Sequence, residues 1–145
     1  MERLIGLDLG SVTCGIAISD PLGMIARALT TVRFEPDNYE EALEKVLAVI
    51  HENHVSKVVL GLPRHMNGDI GVRGQVSQEF ARMLEENGIQ TELWDERLTT
   101  VAAEKILISG NVKRKKRKQI IDQMAAVQIL QSYLDRQSGG LKMPF

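Results

Sequence analysis

Residues 57–63 read Lys57-Val58-Val59-Leu60-Gly61-Leu62-Pro63. An unbroken aliphatic run closed by Gly61 and Pro63 is the pattern of a strand buried on both faces, the kind found inside a parallel sheet covered by helices. Just upstream, Ala42, Leu43, Val46, Leu47, Val49 and Ile50 recur at helical spacing with Glu40, Glu41, Glu44 and Lys45 between them. That spacing predicts an amphipathic helix from Asn38 to Asn53, placed to act as a crossover into the strand. Downstream come a glycine-rich loop from Pro63 to Gly74, a helix near Gln75 to Asn87 stopped by Gly88, and a strand from Gln90 to Trp94.

Working outward, the first third of the chain holds three short apolar segments, Leu4–Leu9, Cys14–Ser19 and Ala28–Arg33, separated by turn formers including Gly10, Ser11, Pro21 and Gly23. Three strands in quick succession imply an antiparallel meander. Two helices are expected at the other end, over Thr99–Ser109 and Lys118–Arg136. The order βββαβαβαα predicts an α/β protein of the ribonuclease H-like fold. Its five-stranded mixed sheet combines an antiparallel three-strand meander with two parallel strands, flanked by helices. One domain is expected over residues 1–137, with a flexible tail over 138–145 that contains Gly139, Gly140 and Pro144. This architecture also serves phosphotransferases, so the residues of the site must decide the chemistry.

At 145 residues, 43% hydrophobic and 26% charged, the chain can bury one core without disulfides. No window is apolar enough for a transmembrane helix, and the first residues lack the layout of a secretory signal. The single cysteine, Cys14, can form neither an internal disulfide nor a multi-cysteine zinc site, which suits a reducing compartment and predicts a cytoplasmic location. The formal net charge of -1 conceals a block of six consecutive cations, Lys113, Arg114, Lys115, Lys116, Arg117 and Lys118. Such a block is either a solvated surface segment or a polyanion-binding one.

Three acids stand out from their surroundings. Asp8 lies within an apolar strand, where an unpaired charge costs several kcal/mol. Alternation puts it on the same face as Gly6 and Gly10, which clears bulk from around it. The alternative is a turn aspartate bonded to the amides of Ser11 or Thr13. Asp95 and Glu96 close the strand that ends at Trp94, at the carboxyl end where α/β sheets tend to place ligands. Two adjacent acids cannot both face one site in extended chain; the longer Glu96 is favoured, with Asp95 as the fallback, and helix capping is the competing explanation. Asp122 projects onto the arc of Ala126, Ile129, Leu130 and Tyr133, the apolar stripe of the last helix.

Three inward carboxylates make a hard, oxygen-rich site suited to Mg2+ or Mn2+, with room for two ions about 4 Å apart that activate a water and stabilise a leaving phosphate oxygen. The basic block immediately precedes Asp122, so a phosphate backbone held there would pass near the metal. Arg64 and Arg73, in the glycine-rich loop, and Arg97, beside Glu96, are further candidate nucleic-acid contacts. His51 and His54 read as helix-surface residues, and His65 is a weaker candidate for proton transfer.

Together, Gly6-Leu7-Asp8-Leu9-Gly10, Gly61-Leu62-Pro63, Asp95-Glu96-Arg97-Leu98-Thr99-Thr100, and Ile121-Asp122 followed by Ala125-Ala126 and Ile129-Leu130-Gln131 resemble the YqgF, or RuvX, family over about Arg3 to Arg136. These proteins are ribonuclease H-like relatives of Holliday junction resolvases and are assigned to processing the 5′ end of pre-16S ribosomal RNA. The resemblance implies that Asp8, Glu96 and Asp122 form the acidic triad of a metal-dependent nuclease. The junction-resolvase and the ribosomal RNA assignments both attach to related proteins; structured RNA is the expected partner, with branched DNA or a non-catalytic RNA-binding role as the alternatives, and the protein is expected as a monomer or homodimer. The family loop after Gly-Leu-Pro usually reads Asp-Gly-Ser/Thr, whereas Asn67-Gly68-Asp69 stands here.

Overall fold

The computed structural model describes residues 2–99 and 124–137. Strands β1 (Ile5–Leu9), β2 (Thr13–Ser19) and β3 (Ala26–Arg33) form the antiparallel meander. Helix α1 (Tyr39–Glu52) leads to β4 (Lys57–Leu62), and helix α2 (Val72–Glu86) leads to β5 (Gln90–Asp95). The sheet order is β3-β2-β1-β4-β5, with β1, β4 and β5 parallel. The expected mixed five-stranded sheet is therefore present.

Local chemistry explains most boundaries. Asn38 caps α1 by accepting from the Glu41 amide at 3.1 Å, and Glu40 and Glu41 face the positive end of the helix dipole. Ala42, Val46 and Ile50, spaced four apart, are the buried stripe. Gly88, at φ +82°, supplies the left-handed turn after α2.

Two apolar layers sandwich the sheet. On one face Ile5, Leu7, Ile16, Val58 and Leu60 pack against α1 and α2 through Val46, Ile50, Phe80 and Leu84. On the other, Ala17 and Val59 pack against Ala126, Ile129, Leu130 and Tyr133 of a helix described over residues 124–137. This second face is built from small residues. A Cβ on Gly6 would lie 2.7 Å from Leu130 Cβ, so the helix backbone approaches β1 as closely as glycine allows. The same helix is fastened across the width of the sheet. Gln131 accepts from the Ala26 amide at 2.8 Å, Tyr133 accepts from Lys57 Nζ at 2.9 Å, and Trp94 Nε1 donates to Ser132 Oγ at 3.0 Å.

Several boundaries read from sequence need correction. β3 begins at Ala26 and β5 extends to Asp95. α2 begins at Val72, so Arg73 and Gly74 belong to its first turn and not to the preceding loop. A Cβ on Gly74 would lie 2.8 Å from the Pro63 carbonyl oxygen, so this glycine serves close packing of the helix start on the end of β4. Before the helix expected from Thr99, Glu96–Leu98 form one 3-10 turn, and Thr99 follows it in extended conformation. The remainder of the helix expected over 99–109, the start of the next and the tail expected over 138–145 lie outside the described residues. No helix among the described residues is long and apolar enough to cross a membrane.

Candidate active site

Alternation along the strands decides which side chains meet. Leu7 and Leu9 face α1 and α2, which sends Gly6 and Asp8 to the face covered by the C-terminal helix. Asp8 pairs with Gly15 of β2. On its other side the β1–β4 register reaches Leu7↔Leu60, which brings Gly61 level with Asp8 at the next position. Asp8 is half-buried and stands between two glycines, so no neighbouring side chain in its row of the sheet crowds it.

Glu96 approaches the same place from the other flank. Trp94 pairs with Gly61 and faces the C-terminal helix. Glu96, two residues further, folds back over β4: its Oε2 lies 2.7 Å from where a Cβ on Gly61 would be, and its Cγ 3.2 Å. Adjacent strands are about 4.8 Å apart, so a carboxylate lying over Gly61 is about one strand spacing from the Asp8 position. Asp8 and Glu96 thus share one cleared patch at the carboxyl ends of β1 and β4. Gly61 makes that patch possible. Its signal was in the sequence, as a glycine interrupting Val58-Val59-Leu60 and Leu62, where a strand interior otherwise carries aliphatic side chains.

Asp95 points elsewhere and has a different task. Its side chain accepts from the Arg97 amide at 2.9 Å as the cap of the 3-10 turn. Arg97 Nη2 donates to Asp95 Oδ2 at 2.7 Å, and Arg64 Nη1 stands 3.8 Å from the same oxygen. The Arg97 hydrogen bonds, with smaller help from the charges of Arg97 and Arg64, hold the Asp95 carboxyl below its ordinary value against the opposing effect of burial. A carboxyl with a depressed folded pKa contributes stability that is present above its unfolded pKa and is lost as pH falls through the folded value. Asp95→Asn is therefore expected to lower the melting temperature at neutral pH, with the gap from the wild type closing below about pH 4. A gap of equal size at neutral and acid pH, measured by thermal melts across that range, would remove the ionic contribution.

The other residues singled out from sequence are dispersed around this patch. Gly68, at φ +95°, would place a Cβ 3.5 Å from Arg97 Nη1, so the loop after β4 folds over Arg97. His65 packs its ring against Gly71, with Nε2 at 2.5 Å from a would-be Cβ there. Arg73 donates to the Leu9 carbonyl at 2.9 Å and to the Tyr39 hydroxyl at 3.2 Å. His51 is exposed on α1, as read; His54 is exposed too, but it stands beyond the Asn53 cap in a left-handed turn at φ +56°, not on the helix. Among the described residues no three histidine, cysteine or acidic side chains cluster as metal ligands. Asp122 and the basic block, Lys113, Arg114, Lys115, Lys116, Arg117 and Lys118, lie outside the described residues.

An antiparallel meander continued by two parallel crossovers, with a helix closing the opposite face, defines the ribonuclease H-like fold. Two solved structures share it across nearly the whole chain. One is Thermus thermophilus RuvC in complex with Holliday junction substrate, with a TM-score of 0.61 at 16% identity, covering 96% of this chain and 97% of that one. The other is the Fowlpox virus resolvase in complex with Holliday junction DNA, with a TM-score of 0.58 at 10% identity, covering 94% and 99%. Within this fold the chain belongs to the RuvX family, whose profile, described as Holliday junction resolvase, matches residues 2–136. Relatives named "Putative pre-16S rRNA nuclease" include a Geobacillus sp. protein 50% identical over 134 residues, covering 92% of this chain and 97% of the relative. A Shouchella clausii protein of the same name is 51% identical over 137 residues, covering 94% and 96%.

Proposed function

We propose that this protein is a nuclease that hydrolyses phosphodiester bonds, with the 5′ end of precursor 16S ribosomal RNA as its substrate. The observation that carries this reading is the convergence of Asp8 and Glu96 on one glycine-lined patch of the sheet. Family membership and the names of relatives at about half identity support the reaction class and the RNA.

The donors on this patch suit a hard divalent cation. Both are carboxylates, whereas the soft candidate, Cys14, is buried in the layer on the opposite face of the sheet. Asp8 and Glu96 would hold Mg2+ or Mn2+, with Asp122 as third ligand on the strength of its place in the sequence one helical turn before Ala126. When bound, such an ion supplies Lewis acidity and lowers the pKa of an attached water. The protein's own contribution is orientation. Gly15 and Gly61 leave space beside Asp8, the 3-10 turn aims Glu96 back over β4, and the packed C-terminal helix shields one side from bulk water. Arg64 and Arg97, with side chains 33% and 35% exposed, retain donors beyond those used on Asp95 and would take substrate phosphate oxygens. The block Lys113–Lys118 would hold more of the backbone and make binding weaken steeply with salt.

The test is cleavage of precursor 16S RNA and of a four-way DNA junction by the full chain, side by side in Mg2+ and in Mn2+. Faster cutting of the RNA is the expected result. Preferential cutting of the junction would transfer the assignment to resolvase, and no cutting of either would leave a binding protein without the proposed chemistry.

A further inference from the structure

Sequence reading groups Arg73 with the cations that could touch substrate, yet its guanidinium, on an exposed residue, is bonded to two acceptors of the chain itself, the Leu9 carbonyl and the Tyr39 hydroxyl. We propose instead that Arg73 is a positioning residue that fixes the Asp8 segment of β1 relative to Glu96, an inference that rests on the site described above.

The ladder between β1 and β2 continues to Leu9↔Cys14, but the ladder between β1 and β4 stops at Leu7↔Leu60. Leu9 therefore lies two residues past the last β1–β4 pair. Arg73 supplies a tie there: its Nη2 donates to the Leu9 carbonyl at 2.9 Å. Its Nη1 donates to the Tyr39 hydroxyl at 3.2 Å, Tyr39 donates to Asp37 Oδ1 at 3.1 Å, and the Asp37 amide donates to the Ser11 carbonyl at 2.8 Å. One connected set thus grips the carbonyls on both sides of Gly10, the residue with the greatest conformational freedom in the turn after Asp8.

The anchor of this set is itself fixed. Gly74 lets the first turn of α2 sit against the Pro63 carbonyl at the end of β4, and β4 carries Gly61 beneath the Glu96 carboxylate. Arg73 thereby joins the strand end that seats Glu96 to the strand end that bears Asp8. A planar guanidinium can satisfy two separated acceptors at once, which the compact ammonium of lysine does less well.

The experiment compares Arg73→Ala, Arg73→Lys and Tyr39→Phe in the full chain, with Asp8→Asn alongside. It reads kcat, KM and the salt dependence of RNA binding, Mn2+ affinity by calorimetry, and hydrogen exchange of residues 9–13 without metal. For Arg73→Ala, kcat is expected to fall about 100-fold, the scale of a misplacement of about 1 Å, with little change in KM. Mn2+ should bind about tenfold more weakly, exchange at residues 9–13 should accelerate, and the salt slope should stay as in the wild type. Arg73→Lys and Tyr39→Phe should fall in between, and they carry the test if Arg73→Ala does not fold. A raised KM with kcat preserved and a salt slope reduced by about one would make Arg73 a phosphate contact and overturn the proposal. If Asp8→Asn abolishes Mn2+ binding and cleavage while Arg73→Ala changes neither, the site stands and the role of Arg73 falls. If Asp8→Asn leaves both intact, the site reading falls and takes this inference with it.

Discussion

Asp8→Asn is expected to reduce phosphodiester cleavage by about 1,000-fold or more while leaving the protein folded. The substitution keeps size and shape but removes the charge that, in the proposed site, would help hold a divalent ion. Metal-derived stabilisation of the transition state amounts to several kcal/mol, and each 1.36 kcal/mol is a factor of about ten in rate. Stability should respond in the opposite sense to activity, or hardly at all. In chelator, two carboxylates about one strand spacing apart repel each other, so neutralising one relieves the pair. The melting temperature without metal is expected to stay within about 3 °C of the wild type, on the order of 1 kcal/mol, and the rise produced by added Mn2+ should disappear. Thermal melts with and without Mn2+, together with single-turnover cleavage, check both parts. An Asp8→Asn protein that melts far below the wild type in chelator would identify Asp8 as a structural residue. Retained cleavage would remove it from the chemistry.

The fold was legible because the two sides of this sheet impose different patterns on the sequence. Val58-Val59-Leu60 reads as a doubly covered strand since Val58 and Leu60 meet α1 and α2 while Val59 meets the C-terminal helix. Asp8 was conspicuous for the same reason, as a charge in a strand whose other positions are buried. What composition could not show was the use of particular glycines and arginines. Gly71-Val72-Arg73-Gly74 has the makeup of a loop, yet Gly74 is helical and is needed for contact with Pro63. The choice between Asp95 and Glu96 stayed open because adjacent residues differ only in which way the last turn of chain throws them. The 3-10 turn settles their directions: Asp95 becomes its cap and Glu96 returns over β4. Arg73 looks like a phosphate ligand in sequence just as Arg64 and Arg97 do, because its internal acceptors, the Leu9 carbonyl and the Tyr39 hydroxyl, belong to distant residues until the chain is folded.

The glycines beneath the C-terminal helix separate packing from chemistry, and the sharpest expected contrast lies between Gly61→Ala and Gly6→Ala. A Cβ at position 61 would meet Ile129 Cδ1 at 2.6 Å and Glu96 Oε2 at 2.7 Å, both ends of flexible side chains that can rotate away. The cost to stability should be small, about 1 kcal/mol or less, because alanine also restricts the unfolded chain more than glycine does. The cost to activity should be large, about 100-fold, because the atom that must move is the Glu96 carboxylate oxygen. A Cβ at position 6 would instead meet Leu130 Cβ at 2.7 Å and the Ala126 carbonyl oxygen at 3.1 Å, atoms on or next to the helix backbone. There the helix itself must shift, and a loss of about 1–3 kcal/mol is expected, the usual penalty for overpacking. Denaturant unfolding and cleavage rates measured on both variants give the comparison directly. Should Gly61→Ala cut as fast as the wild type, the Glu96 carboxylate would have no part in the reaction wherever it settles, and Asp8 would need a different partner.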